Sequence, residues 1–159
     1  MNRTTLERPS EEELVITRTF DAPARIVYAA WTQPELLKRW WAPRSLGVTL
    51  FSAEADVRPG GTYRYVFGHD EAKAMAFSGT YREVVPEKRL VATQIFEPMP
   101  QAGEAIVTAT FEETRGKTRL VLHQRHASKA TLDAILASGM ERGMRDTFEQ
   151  LEALVATLR

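Results

Sequence analysis

The C-terminal stretch TLDAILASGMERGMRDTFEQLEALVATLR, Thr131 to Arg159, constrains the fold of this chain more than any other part. Apolar residues recur at three- and four-residue spacing through Leu132, Ile135, Leu136, Met140, Met144, Phe148, Leu151, Val155 and Leu158. Glu141, Arg142, Arg145, Asp146, Glu149 and Glu152 fall mostly off that stripe. The periodicity predicts one long amphipathic helix, roughly 40 Å long at ~1.5 Å per residue. A helix cannot bury its own stripe, so the preceding chain must supply a broad apolar surface. Gly139 and Gly143 stand inside the stripe, each costing about 1 kcal/mol against alanine. Beside them are Met140 and Met144, side chains that fill irregular space. Two readings fit: close packing of helix backbone on a sheet, or a helix that lines a hollow.

The preceding chain supplies such a surface. Residues 1–12 are polar and read as a flexible tail, with residues 13–159 as a single domain. Leu14 to Phe20 reads as a strand. Asp21-Ala22-Pro23 changes the period and opens a short helix over residues 24–32, with Asp21 placed to cap it and Ile26, Val27, Ala30 and Trp31 on its buried side. Thr32-Gln33-Pro34-Glu35 has the form of a capping box for a second short helix, about Gln33 to Trp41, which Pro43 stops. Beyond Pro43 the chain alternates strands and turns. Leu46 to Val57 alternates loosely, as a strand with a bulge would. Arg58-Pro59-Gly60-Gly61 is a strong turn. Tyr63, Tyr65 and Phe67 share one strand face, and Phe77, Gly79 and Tyr81 share another. Arg89 to Phe96, Ala105 to Glu112 and Thr118 to His126 complete the set, joined by short turns at Pro86-Glu87-Lys88 and Arg115-Gly116-Lys117.

Short turns between successive strands imply an antiparallel meander, and one apolar face per strand implies a sheet covered on one side only. The expected architecture is α+β: a helix-grip fold with a curved antiparallel sheet of about six to seven strands wrapped on the long C-terminal helix and two short helices after the first strand. One helix does not fill the concavity of a curved sheet, so a hollow between them is expected.

Composition narrows the function classes. The chain has 159 residues, with Lys plus Arg and Asp plus Glu both at 21, so the formal net charge is zero. That implies no general nucleic-acid or anionic-membrane surface. With no cysteine, disulfides, thiol catalysis and Cys-ligated zinc are excluded, and a cytoplasmic location is expected. The opening MNRTTLERPSEEE lacks the apolar run of a signal peptide, and no stretch is apolar enough to span a bilayer. His123 and His126 lie three apart on a strand and face opposite ways, so no metal site is expected, nor any cofactor. His69 falls in a solvated turn, and His126 faces inward near the mouth. Ser52, Ser78 and Ser128 lack the context of a nucleophile elbow, so no catalytic residue is assigned. Glu54 and Asp56 read as a solvated outer face.

Six segments in order, RTFDAP (Arg18 to Pro23), AWTQPELLKRWWAP (Ala30 to Pro43), DVRPGGTYRY (Asp56 to Tyr65), FSGTYREVVPEKRLV (Phe77 to Val91), VTATFEE…KTRLVL (Val107 to Leu122) and GMERGMRDTFEQLEAL (Gly139 to Leu154), closely resemble the bacterial homologues of the activator of the heat-shock-protein-90 ATPase, within the START-like, birch-pollen-allergen-like superfamily. The resemblance implies the helix-grip fold with a hydrophobic cavity between sheet and helix. Many relatives carry tryptophan after the glycine that matches Gly143, where this chain has Met144, so a differently shaped pocket is implied.

An apolar pocket with a few convergent polar groups is the default small-molecule site. The residues expected to line it are Trp40, Tyr63, Tyr65, Phe77, Tyr81, Phe111, Gln124, Met140, Met144 and Phe148. The leading reading is binding of a small hydrophobic or aromatic molecule, in a stress or resistance response, by a monomer or homodimer. Two others stay open: an enzyme of the polyketide cyclase or hydrolase kind using Tyr63, Tyr65, Gln124 or His126, and a module stimulating a chaperone ATPase.

Overall fold

In a computed structural model that describes residues 3–159, eight antiparallel strands form one sheet in the order β1-β2-β8-β7-β6-β5-β4-β3. The elements are β1 (Thr5–Glu7), β2 (Glu13–Phe20), α1 (Ala24–Thr32), α2 (Pro34–Leu37), β3 (Thr49–Ala55), β4 (Thr62–Gly68), β5 (Met75–Val85), β6 (Arg89–Phe96), β7 (Ala105–Thr114), β8 (Lys117–Arg125), α3 (Lys129–Ala137) and α4 (Met140–Leu158). From β3 to β8 the chain is a meander of neighbours, and β2 closes onto β8 with Phe20 opposite Thr118 and Leu14 opposite Gln124. The helix-grip architecture is as the pattern predicts, with one strand more than expected.

The extra strand comes from the segment read as a tail. Thr5, Leu6 and Glu7 pair with Thr17, Ile16 and Val15, Thr4 is buried, and Arg145 of α4 donates to the Thr4 carbonyl. Met1 and Asn2 of that tail lie outside the described residues.

The single long helix is also corrected. It is two helices, broken at Ser138-Gly139, where Gly139 takes φ +84°, a left-handed conformation that glycine adopts without a Cβ penalty. Ser128 caps α3 by accepting from the Thr131 N–H. In the other short helices the expected caps are absent. Pro23 begins α1, and the free N–H of Ala24 is satisfied at 2.7 Å by Glu113 from β7, not by Asp21. Thr32 makes no capping box; its hydroxyl donates back to the Tyr28 carbonyl, and α2 stops at Leu37 in a series of turns rather than running to Trp41.

The core sits between the sheet and the helices. Leu14, Ile16, Phe20, Val27, Leu37, Trp40, Leu120, Leu132, Leu151 and Val155 are almost wholly buried. At roughly 1.5–3 kcal/mol for each large apolar side chain, these set the stability of the grip. Arg18 shares the inward face of β2 and is only 3% exposed. Its guanidinium reaches Glu149 at 3.1 Å, Glu152 at 3.3 Å and the Thr4 hydroxyl at 3.1 Å, so one buried cation ties β2, the β1 end and α4 together. The alternation Leu14, Ile16, Arg18, Phe20 already marks it as an inward residue.

Candidate functional site

The segment between α2 and β3 sets the site. α4 staples it from above: the Gln150 amide donates to the carbonyls of Trp40 and Ala42, both at 2.8 Å, its oxygen accepts from the Arg44 N–H, and Ser45 donates to Asp146. Bonds on either side of Trp41 fix its direction. The two neighbouring tryptophans therefore part ways. Trp40 turns into the closed core, its indole N–H on the Ala30 carbonyl, its ring against Trp31 and Phe148. Trp41 turns onto the sheet, with ring centroids 5.2 Å from Phe67, 5.4 Å from Tyr65 and 6.1 Å from Phe77.

Strand register continues this aromatic wall. Phe67 stacks on Phe77 at 5.3 Å, and Phe77, opposite Phe96 in the β5–β6 ladder, touches it at 5.2 Å. Trp41, Phe67, Phe77 and Phe96 all lie on the side of the sheet that faces the helices, yet all four are only partly buried. Met140 and Met144 on the first turns of α4, and Leu136 on α3, are likewise half-buried and packed on the same core. By contrast Phe148, Leu151, Leu154 and Val155 farther along α4 are buried. Burial along α4 is thus complete toward its C-terminal end and partial at its N-terminal end, and this half-buried end is the candidate opening.

Beside the wall, Tyr63, Tyr65 and Tyr81 form a contiguous cluster, with Tyr63 5.1 Å from Tyr65 and 5.4 Å from Tyr81. Tyr63 lies across Gly79 and donates to the Thr93 carbonyl at 2.6 Å. The Thr80 N–H, next to it, bonds the Thr93 hydroxyl. The Tyr65 and Tyr81 hydroxyls interact with each other. Burial raises all three phenols, Tyr81 to about 12, so all are neutral near pH 7.

Gln124 and His126 complete the inner face. Nε2 of His126 stands 3.0 Å from the Gln124 side-chain oxygen. A carbonyl oxygen only accepts, so His126 donates and carries its proton on Nε2. His126 is buried, and desolvation holds its pKa below the ordinary histidine value. His123 faces the other way and pairs with Glu13 at 2.8 Å, and His69 is exposed, facing the Gly47 carbonyl.

Of the residues read from sequence as pocket lining, Phe77, Gln124, Met140 and Met144 are half-buried on this side, and Tyr63, Tyr65 and Tyr81 are buried beside them. Trp40, Phe111 and Phe148 are packed into the closed end, Phe111 against Trp31 and Tyr28. Trp41, Phe67, Phe96 and Gln94 were missed. The alternation of β4 and β6 marks Phe67, Gln94 and Phe96 as inward; nothing in the sequence tells Trp41 from Trp40. The two helix glycines are also reassigned. Gly139 is exposed, with nothing within 4 Å of a Cβ built on it, and Gly143 faces Pro43 and Leu46, not the opening.

A separate groove of about 620 Å³ runs over the outer face of β3–β6, bordered by Glu54, Asp56, Arg64, Ser78, Thr80 and Glu104. Its main cation, Arg64, is held by Glu97 at 2.9 and 3.0 Å, so an apolar ligand there would have to desolvate satisfied ions. No helix among the described residues is long and apolar enough to cross a membrane.

Residues 21–156 match the family described as "Activator of Hsp90 ATPase homolog 1-like protein". Crystal structures with the same fold include a Rhodobacter sphaeroides protein (25% identity, 98% of this chain and 99% of that one, TM-score 0.89). A Nitrosomonas europaea protein is 26% identical over 94% and 97%, with TM-score 0.81, and one from Chromobacterium violaceum is 28% identical over 92% and 98%, with TM-score 0.76. No curated protein matches the chain.

Proposed function

The chain belongs to the Activator of Hsp90 ATPase homolog 1-like family, and we propose that it binds a small hydrophobic or aromatic molecule in the opening between β4–β8 and the start of α4. The observation that carries this reading is the half-buried wall of Trp41, Phe67, Phe77 and Phe96 on the helix-facing side of the sheet. Aromatic side chains there bury into a core or serve a ligand; leaving four in contact with solvent forgoes burial worth roughly 25 cal/mol per Å². A fold of this type commonly holds hydrophobic ligands, and Met140 and Met144 at the rim can adapt to one.

The test is a thermal-shift panel of neutral apolar and aromatic compounds. A ligand at ~100 times its Kd adds about 2.7 kcal/mol to the folded state and raises the midpoint. Met144→Trp, which narrows the opening at a half-buried position, should weaken every hit while the ligand-free midpoint stays within a few degrees. A panel in which no compound raises the midpoint removes the reading.

A further inference from the structure

We propose that the opening selects neutral planar aromatic molecules carrying an oxygen acceptor, a phenol or a carbonyl, seated on a polar patch made by Gln94 and Gln124. This inference rests on the ligand-pocket reading above and specifies its chemistry.

The patch follows from register. Val107 of β7 pairs with Gln124 on one side and Ala92 on the other, and Ala105 pairs with Gln94. Ile106 pairs with Arg125, so His126, one residue on, is level with Ala105. Neighbouring strands are ~4.8 Å apart. Gln94 and the Gln124–His126 pair therefore flank a floor of Ala92, Ala105 and Val107, whose side chains are small or short.

The hydrogen-bonding state of each polar group decides what can sit there. Tyr63 donates its proton to the Thr93 carbonyl, and the Tyr65 and Tyr81 hydroxyls interact with each other. The Gln124 oxygen is taken by His126, which leaves the Gln124 NH2 as a donor without a protein acceptor. Gln94, half-buried beside it, makes no side-chain hydrogen bond to the described protein. The vacant capacity is mainly that of amide donors, which match a ligand oxygen.

Charge narrows the class further. Among the described residues, the charged side chain on an inward position of β4–β8 is Glu113, an anion at the closed end that accepts from the Ala24 N–H, so these strands turn no cation inward. The charged residue facing inward from β2, Arg18, is committed to Glu149 and Glu152. A ligand carboxylate would enter without a counter-ion, at a desolvation cost that neutral donors do not offset.

Equilibrium dialysis of the full chain at pH 7.5 with naphthalene, 2-naphthol and 2-naphthoate tests this on one ring system. The expected order is 2-naphthol about tenfold tighter than naphthalene, the effect of one added hydrogen bond, with 2-naphthoate weakest. Gln124→Leu and Gln94→Leu should each erase most of the naphthol preference over naphthalene. Equal binding of naphthol and naphthalene, tightest binding of naphthoate, or an equal loss of naphthalene and naphthol in the variants overturns the inference. If none of the three binds, the inference falls, and the thermal-shift panel then decides separately whether the pocket reading survives.

Discussion

Gly79 is where backbone and site are most tightly coupled. A Cβ built on it would overlap the Thr93 carbonyl oxygen and stand 2.8 Å from Cε1 of Tyr63. The carbonyl is backbone and cannot swing aside cheaply, and the Tyr63 ring is held at its far end by the same oxygen. Gly79→Ala must therefore separate β5 from β6 or push Tyr63 off Thr93. Leaving a buried carbonyl unsatisfied costs about 1–3 kcal/mol, and overpacking adds about 1–3 kcal/mol, so a total loss of roughly 2–6 kcal/mol is expected. Tyr63→Phe removes the hydroxyl alone and should cost about 1–3 kcal/mol. Both act on one oxygen, so the double variant should lose less than the sum, with a coupling of about 1 kcal/mol or more. Urea unfolding of the four proteins of the cycle measures this. Strict additivity, or a Gly79→Ala cost below about 0.5 kcal/mol, would refute the claim that Gly79 exists to let Tyr63 reach Thr93.

The two helix glycines should respond in opposite directions. Gly139→Ala places a Cβ at φ +84° in open space and should cost about 1–2 kcal/mol from backbone strain alone. Gly143→Ala meets Pro43 at 3.6 Å and Leu46 at 3.7 Å, ordinary contact distances, and should stabilise by up to about 1 kcal/mol through helix propensity; equal effects in denaturant unfolding would contradict this. Stability should also fall on mild acidification because of His126. Its folded pKa lies below the ordinary value of about 6.5, so the unfolded chain takes up the proton first. The loss begins as pH drops through about 6.5 and is complete once pH passes below the folded pKa. Glu13, Glu97 and Asp133, whose pKa values are also depressed, act only as pH falls through the carboxylate range, from about 4.5 downward. Unfolding free energies at pH 7.5 and 5.5 should therefore differ less in His126→Gln than in the parent; an unchanged slope would refute the assignment.

The sheet was legible because its signals are local. Arg115 and Gly116 take φ +54° and +78° between Thr114 and Lys117, a turn that the Arg-Gly pair advertises. The looseness of Leu46 to Val57 is a real register shift between Leu50 and Ser52. What was not legible depends on partners distant in sequence. β1 has three residues and no alternation to read; it is a strand because β2 offers an edge. Ala24 is capped by Glu113, 89 residues away, which no capping pattern near α1 can reveal. Trp41 faces the sheet because Gln150 holds the carbonyls on both sides of it, and neither spacing nor hydropathy separates it from Trp40.

The helix that dominated the sequence reading places the opening through a gradient rather than through its glycines. Its stripe is continuous in sequence, but its burial is not. Phe148, Leu151 and Val155 are at most 2% exposed, whereas Met140 and Met144 stay half-buried on the same stripe. A curved sheet and a straight helix can be in full contact along only part of their length. The chain breaks at Ser138-Gly139 between α3 and α4, next to the half-buried start of α4. α3 is fixed elsewhere, by the Thr131 hydroxyl on the Ala102 carbonyl and by buried Leu132, so neither helix covers Trp41, Phe67, Phe77 and Phe96 completely. The opening is the geometric remainder of two helices seated on different parts of one curved sheet. Phe67, Phe77 and Phe96 are side chains that the alternation of β4 to β6 had already turned inward.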